Sequence, residues 1–177
     1  MLRPLIFASL LLSFGPQGNL PPIRPSPISM TIAPEKDAVV AGASIVVKIK
    51  FKNISEHDVV IDYTGPYKTF DLIALDAKGH LVPDNELGEQ MKHIGPFNIS
   101  GRNMETSISG MNIVTSLKPN QSWDGASITV TEIRVMTSPG KYSIQLTADL
   151  GKFVVGNAIG TIKSNKITVT VTESPTH

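Results

Sequence analysis

SPGKYSIQLTAD, residues 138–149, is the stretch of this 177-residue chain that most clearly decides its fold. After a Pro-Gly turn, every second side chain is apolar: Tyr142, Ile144, Leu146 and Ala148. A period of two is typical of a β-strand with one buried face. In Greek-key sandwiches, a tyrosine near the start of the penultimate strand returns its hydroxyl to a nearby backbone group. We therefore expect Tyr142 to be a structural corner.

The same alternation recurs along the rest of the chain. It is found in residues 28–33, 43–53, 58–63, 69–76, 127–135, 152–156 and 165–173. Ile, Val and Thr favour strands, and the 14 glycines and 13 prolines supply turns between the segments. No long stretch has apolar residues at helical spacing. The sequence predicts an all-β protein, a β-sandwich of about seven or eight strands.

The N-terminal region differs from the rest in composition. Residues 1–18 have one basic residue followed by a short apolar run, which predicts a signal peptide and a secreted or periplasmic protein. The alternative is a hydrophobic first strand. Residues 19–27 form a Pro-rich spacer before a domain over 28–173. We expect no membrane association after signal removal, and the chain has no cysteine for a disulfide or a lipid anchor.

Residues 84–117 interrupt the alternation and are predicted to be a long irregular insertion. We expect a short helix over Glu86 to Lys92 and strand-like pieces near 105–108 and 112–115. Long irregular segments in compact domains tend to be functional. Its apolar residues are candidate partner-binding anchors: Met91, Ile94, Phe97, Met104, Met111 and Ile113. The alternative is that they fold back over the domain's own core.

Little in the sequence indicates catalysis or a cofactor. The four histidines stand singly, without the local pairs of metal sites, and no G-x-S-x-G elbow is present. We expect a non-enzymatic protein with no cofactor and no metal, although Asp71, Asp76 and Asp84 leave a calcium site open as an alternative.

Charge also argues against nucleic acid as a partner. The chain has 16 basic and 15 acidic residues, which balance once Arg3 leaves with the signal peptide. A neutral domain needs a segregated basic face to bind phosphates. One basic stripe exists, Lys48, Lys50 and Lys52 on one strand, but outward lysines on strands also prevent edge pairing.

Several short motifs resemble those of bacterial secreted immunoglobulin-like domains, and of the bacterial intracellular proteinase inhibitor of similar fold. They are FKNIS (51–55), FDLIALDAKG (70–79), LKPNQS (117–122), PGKY (139–142) and SNKITVTV (164–171). The resemblance implies an immunoglobulin-like Greek-key β-sandwich and specifies fold better than function. Asn120 stands where the pattern usually has glycine, and we expect it to adopt the left-handed backbone angles that asparagine tolerates.

The expected function is that of a protein-binding module with an unknown protein partner. The binding surface is expected to be the insertion or an open sheet edge that accepts a partner strand. Two alternatives remain: a proteinase inhibitor that presents a loop to a protease, and a structural or assembly module of a cell-envelope complex. The sequence leaves the oligomeric state open.

Overall fold

The computed structural model describes residues 26–93, 113–156 and 158–174. The predicted signal peptide, most of the Pro-rich spacer and residues 94–112 of the insertion lie outside the described residues.

Strands dominate the described part of the chain. They are β1 (Ile28–Pro34), β2 (Ala38–Val40), β3 (Val46–Asn53), β4 (Val59–Tyr63), β5 (Phe70–Leu75), β6 (Ile113–Leu117), β7 (Ser122–Thr129), β8 (Gly140–Asp149), β9 (Thr161–Lys163) and β10 (Ile167–Thr172). The helices are α1 (Pro66–Thr69) and α2 (Glu86–His93), with 3-10 turns at Val130–Glu132 and Leu150–Lys152. The prediction of an all-β protein is confirmed, and so is the short helix after residue 86.

The strands form three sheets. One has the order β1-β3-β7, the second has the order β2-β10-β8-β5 with β9 also on β8, and the third pairs β4 with β6. All the pairs are antiparallel except β2 with β10. Consecutive strands β1 and β2 lie in different sheets, so the chain changes sheet at residues 35–37.

The core lies where the inward faces of these sheets meet, and Phe51 is at its centre. Phe51 on β3 is fully buried, with its ring 5.9 Å from that of Phe70 on β5. Its ring is also 6.0 Å from Trp123 on β7 and 5.3 Å from Phe153, which follows the second 3-10 turn. Tyr63 on β4 meets Trp123 edge-on at 5.4 Å. Aromatic contacts at these separations are favourable beyond the apolar area that they bury.

Two predicted strands end differently in the structure. Residues 127–135 alternate in sequence, but β7 begins earlier and ends at Thr129, because the N–H groups of Ile133 and Arg134 turn back to the Val130 carbonyl. Residues 152–156 form only one bridge, between Val154 and Ile61, after the 3-10 turn. An alternating pattern shows that the side chains on one side of a segment are buried. A tight turn can keep those side chains buried although it ends the backbone pairing of the strand.

The opening motif forms β8, and its tyrosine is tied to the turn before it. The Tyr142 hydroxyl donates to the carbonyl oxygen of Ser138 at 2.7 Å, while its ring is buried in the core. The contact joins the start of β8 to the segment that leads into it, as expected of a structural corner.

The prediction for Tyr142→Phe is a loss of about 1 kcal/mol in the free energy of unfolding, the net contribution of one hydrogen bond. The ring keeps its packing, so the fold should be unchanged. Urea denaturation followed by tryptophan fluorescence measures the loss. An unfolding midpoint equal to that of the wild type would contradict a stabilising role for the hydroxyl.

Asn120 has the left-handed backbone conformation that the sequence predicts. Its φ is 64°, and it follows Pro119 in a turn closed by the Gln121 N–H and the Lys118 carbonyl at 2.9 Å. Proline at the second turn position and a positive φ at the third are features of a type II turn. Asparagine thus occupies the usual position of glycine with the same backbone geometry.

The two substitutions Asn120→Ala and Asn120→Gly should differ because of this backbone geometry. Alanine has a Cβ that disfavours positive φ and lacks the local hydrogen bonding of asparagine, so it should cost about 1 kcal/mol of stability. Glycine should leave the stability near that of the wild type. Parallel chemical denaturation of the two variants makes the comparison, and equal stabilities would refute the assignment of the turn.

Candidate functional site

The residues with potential catalytic or metal-binding chemistry lie apart from one another. Asp71 is exposed on β5, whereas Asp76 caps a turn by accepting hydrogen bonds from the backbone N–H groups of Lys78 and His80. The hydrogen bond from the His80 N–H and, to a smaller extent, that from the Lys78 N–H lower the pKa of Asp76. Asp84 forms an ion pair with Arg134. Within residues 26–93, 113–156 and 158–174, no group of three potential metal ligands comes together.

The lysine stripe on β3 faces solvent, and acidic neighbours offset part of its charge. Lys48 lies 3.9 Å from Glu35, and Lys50 lies 3.9 Å from Asp124. Exposed pairs at this separation contribute little to stability. The stripe is therefore less basic than its sequence suggests.

The two described members of the predicted apolar anchors pack against the domain's own core. Met91 on α2 and Ile113 at the start of β6 are both half-buried there. Ile94, Phe97, Met104 and Met111 lie outside the described residues. Most of the surface of Met91 and Ile113 is therefore buried against the domain's own core, as in the alternative interpretation of these residues.

The start of the insertion is fastened to the domain by polar contacts around Arg134. Arg134 is largely buried; it pairs with the buried Asp84 and donates to the carbonyl oxygen of Leu72 at 2.6 Å. Asn85 caps α2 by accepting from the Gly88 N–H at 2.9 Å, and its amide donates to the Glu132 carbonyl. A Cβ at Gly88 would lie 2.2 Å from the Ile133 carbonyl oxygen, so only glycine permits this approach.

The same contacts cover the outer edge of β5. The carbonyl of Leu72 accepts from Arg134, and that of Ala74 accepts from the N–H of Val82. Both carbonyls point away from β8, where a further strand would otherwise pair. A partner strand is therefore excluded from this edge while α2 and the segment before it stay docked.

A side chain covers part of the outer edge of β1 in a similar way. The amide of Asn165 accepts from the Ile32 N–H at 2.7 Å and donates to the Ile32 carbonyl at 3.0 Å. It pairs with Ile32 as a neighbouring strand would. The buried Ser164 beside it bonds to the backbone of Leu146, which explains the Ser-Asn pair of the closing motif.

No described residue covers the edge of β6 in this way. Asp62 donates its N–H to the Phe153 carbonyl, and the Val60 carbonyl accepts from Val155, so these two residues of β4 point their backbone groups away from β6. Backbone groups alternate in direction along a strand. Val59, Ile61 and Tyr63 therefore face Leu117, Thr115 and Ile113 of β6.

It follows that the N–H and C=O groups of Val114 and Ser116 point to the free side of β6. No hydrogen bond between described residues uses them. Residues 113–117, IVTSL, contain no lysine, proline or acidic side chain that would discourage pairing. The far end of the strand is fixed, since the buried Asn53 amide donates to the Leu117 carbonyl at 2.8 Å.

On the outward face of β4 and β6, beside this edge, valine side chains lie around the carboxylate of Asp62. Val114 is 62% exposed and Val155 is 57% exposed, and Val60 lies between their strands. Asp62 lies opposite Val114, and its Oδ1 atom is buried without a hydrogen-bond partner. We name Val60, Asp62, Val114, Ser116 and Val155 the β6 surface.

The alternation of residues 58–63 is enough to place Asp62 on an outward face, but Val114 lies in a segment without alternation. Sequence reasoning could not identify the edge, which depends on the pairing of β4 with the distant residues 153–155.

The sequence matches no protein-family model and no curated protein. None of the helices in the described ranges has the length and apolarity that crossing a bilayer requires.

The Arg134 cluster allows a stability prediction. Arg134→Met should lower the free energy of unfolding by about 3–5 kcal/mol, because it removes the cation from a buried ion pair. Lys141→Met, on an exposed position of β8, is the control and should change little. If urea denaturation gives equal losses for the two variants, the cluster is not what fastens α2.

Proposed function

We propose that this protein is an exported, non-catalytic, immunoglobulin-like domain that binds a protein partner by accepting one of its strands at the edge of β6. The observation that carries the proposal is the row of backbone groups at Val114 and Ser116 that pair with no described residue, together with the exposed side chain of Val114. Strand addition takes its affinity from such main-chain groups and its specificity from alternate side chains.

The immunoglobulin-like part of the proposal is supported by the connections between the sheets. The first strand leaves the β1-β3-β7 sheet and continues as β2, parallel to the last strand β10. Immunoglobulin-like sandwiches pack two antiparallel sheets over one core. The predicted signal peptide supports export.

Comparison with the other edges favours β6 as the binding edge. The side chain of Asn165 occupies the outward backbone groups of Ile32 on β1, and that of Arg134 occupies the Leu72 carbonyl on β5. The Tyr67 hydroxyl donates to the Thr129 carbonyl at the end of β7, where α1 packs. β2 is three residues long, and its last carbonyl, that of Val40, closes a turn with Ala43. A strand of useful length could pair at β1, β2 or β5, or at the end of β7, only if these contacts were given up.

An affinity capture with edge variants tests this function. Ser116→Pro removes an N–H that faces the free side, a position where proline is tolerated on an edge strand. Val114→Lys adds the charge that natural edges use to prevent pairing. Val135→Lys adds the same charge at an exposed valine away from β6.

We expect a protein from the producing cell's envelope or culture fluid to bind the wild type and Val135→Lys, and to be lost with both β6 variants. All baits are first shown to be folded by thermal unfolding. Identical captures by all four baits would contradict the proposal. A captured protease would favour the inhibitor alternative, and a captured envelope component would favour the assembly module.

A further inference from the structure

Asp62 carries a carboxyl group for which the described residues supply no cation. It is absent from the ion pairs found between described residues, and no described donor reaches its Oδ1 atom. Leaving a buried acceptor without a donor is destabilising, and more so when the group is charged. Packing against the core does not require this carboxylate either, since the neighbouring Ile61 and Tyr63 face inward and Asp62 faces outward.

The surroundings of Asp62 suit the aliphatic part of a long cationic side chain. Val114 lies directly opposite Asp62 on β6, and Val60 and Val155 adjoin it on the same face. Arginine and lysine bury their methylene stems along apolar surface and keep the charged end free for a partner. A stem that crosses Val114 would therefore bring a cation to Asp62.

The spacing of strands sets the length that such a side chain needs. A partner strand beside β6 would lie two strand spacings from β4, which is about 10 Å. Only a long side chain on the outward face of that strand crosses Val114. Arginine suits the site better than lysine because its guanidinium is less strongly hydrated and presents several N–H donors in one rigid plane.

We propose that the β6 surface selects an extended segment in which an arginine is flanked, on the same face, by apolar β-branched residues. This inference rests on the proposed function, since the arginine is presented by the strand added at β6. Asp62 then acts as the residue that determines specificity, while Val114 and Ser116 supply the main-chain pairing common to every bound strand.

A designed peptide is the probe. Its sequence is Ser-Val-Thr-Arg-Thr-Val-Ser, blocked at both ends and labelled with fluorescein, so that arginine and the two valines share one face of the strand. A second peptide has glutamate in place of arginine. Fluorescence polarisation gives the affinity of each peptide for the wild type, Asp62→Asn, Ser116→Pro and the control Asp71→Asn, which removes an exposed carboxylate from β5.

The arginine peptide should bind the wild type and Asp71→Asn at least about tenfold more tightly than the glutamate peptide, as expected for one charge-assisted hydrogen-bonded pair. That preference should disappear in Asp62→Asn, which keeps the shape of the side chain. Ser116→Pro should weaken both peptides.

The two possible failures are distinguishable. If both peptides bind with equal affinity and Ser116→Pro weakens both, strand addition stands and the role of Asp62 is overturned. A preference for arginine that survives in Asp62→Asn would also overturn it. If neither peptide binds the wild type, both the strand addition and the selection of arginine fail.

Discussion

The packing of Phe51 against three other rings is the interaction on which the rest of the structure depends. It joins β3 to Phe70 on β5, to Trp123 on β7 and to Phe153 beside β4. Phe51 and Trp123 belong to the first sheet and Phe70 to the second. Phe153 lies next to Val154, which bridges to β4 of the third sheet. Without a disulfide, burial of apolar surface at this junction is what holds the sheets together.

A sandwich built in this way has several exposed strand edges, and the protein treats them differently. At β1 and β5 a side chain, Asn165 or Arg134, takes the place of a neighbouring strand. The β6 edge instead presents an uncharged strand and a valine face with Asp62 beside it. Natural proteins usually protect edges against unwanted pairing, so an apolar edge that no described residue covers supports the proposal that a partner strand binds there.

Much of the fold follows from local sequence, because burial on one face leaves a period of two. That signal is enough to predict β1 and β8, and the turn position of Asn120 requires only local backbone chemistry. The ends of elements are less predictable: Val130 keeps the alternation but begins a 3-10 turn, in which the N–H groups of Ile133 and Arg134 donate to its carbonyl. The short strands β2 and β9 carry too few residues to show a period.

The candidate site depends on contacts between residues far apart in the chain, which no local pattern contains. Alternation in residues 58–63 predicts that Asp62 faces away from the core, but only the pairing of β4 with both β6 and residues 153–155 places it beside Val114 at this edge. Sequence reasoning chose the apolar residues of the insertion instead. The two of these that the structure describes, Met91 and Ile113, pack largely against the core.

Amide hydrogen exchange along β6 tests the central claim, the free edge, most directly. In the isolated protein, the amides of Ile113, Thr115 and Leu117 should exchange slowly because they pair with β4. The amides of Val114 and Ser116 should exchange nearly as fast as those of an unstructured peptide. Slow exchange at Val114 and Ser116 in a monomer would mean that the edge is already occupied, and would contradict the account.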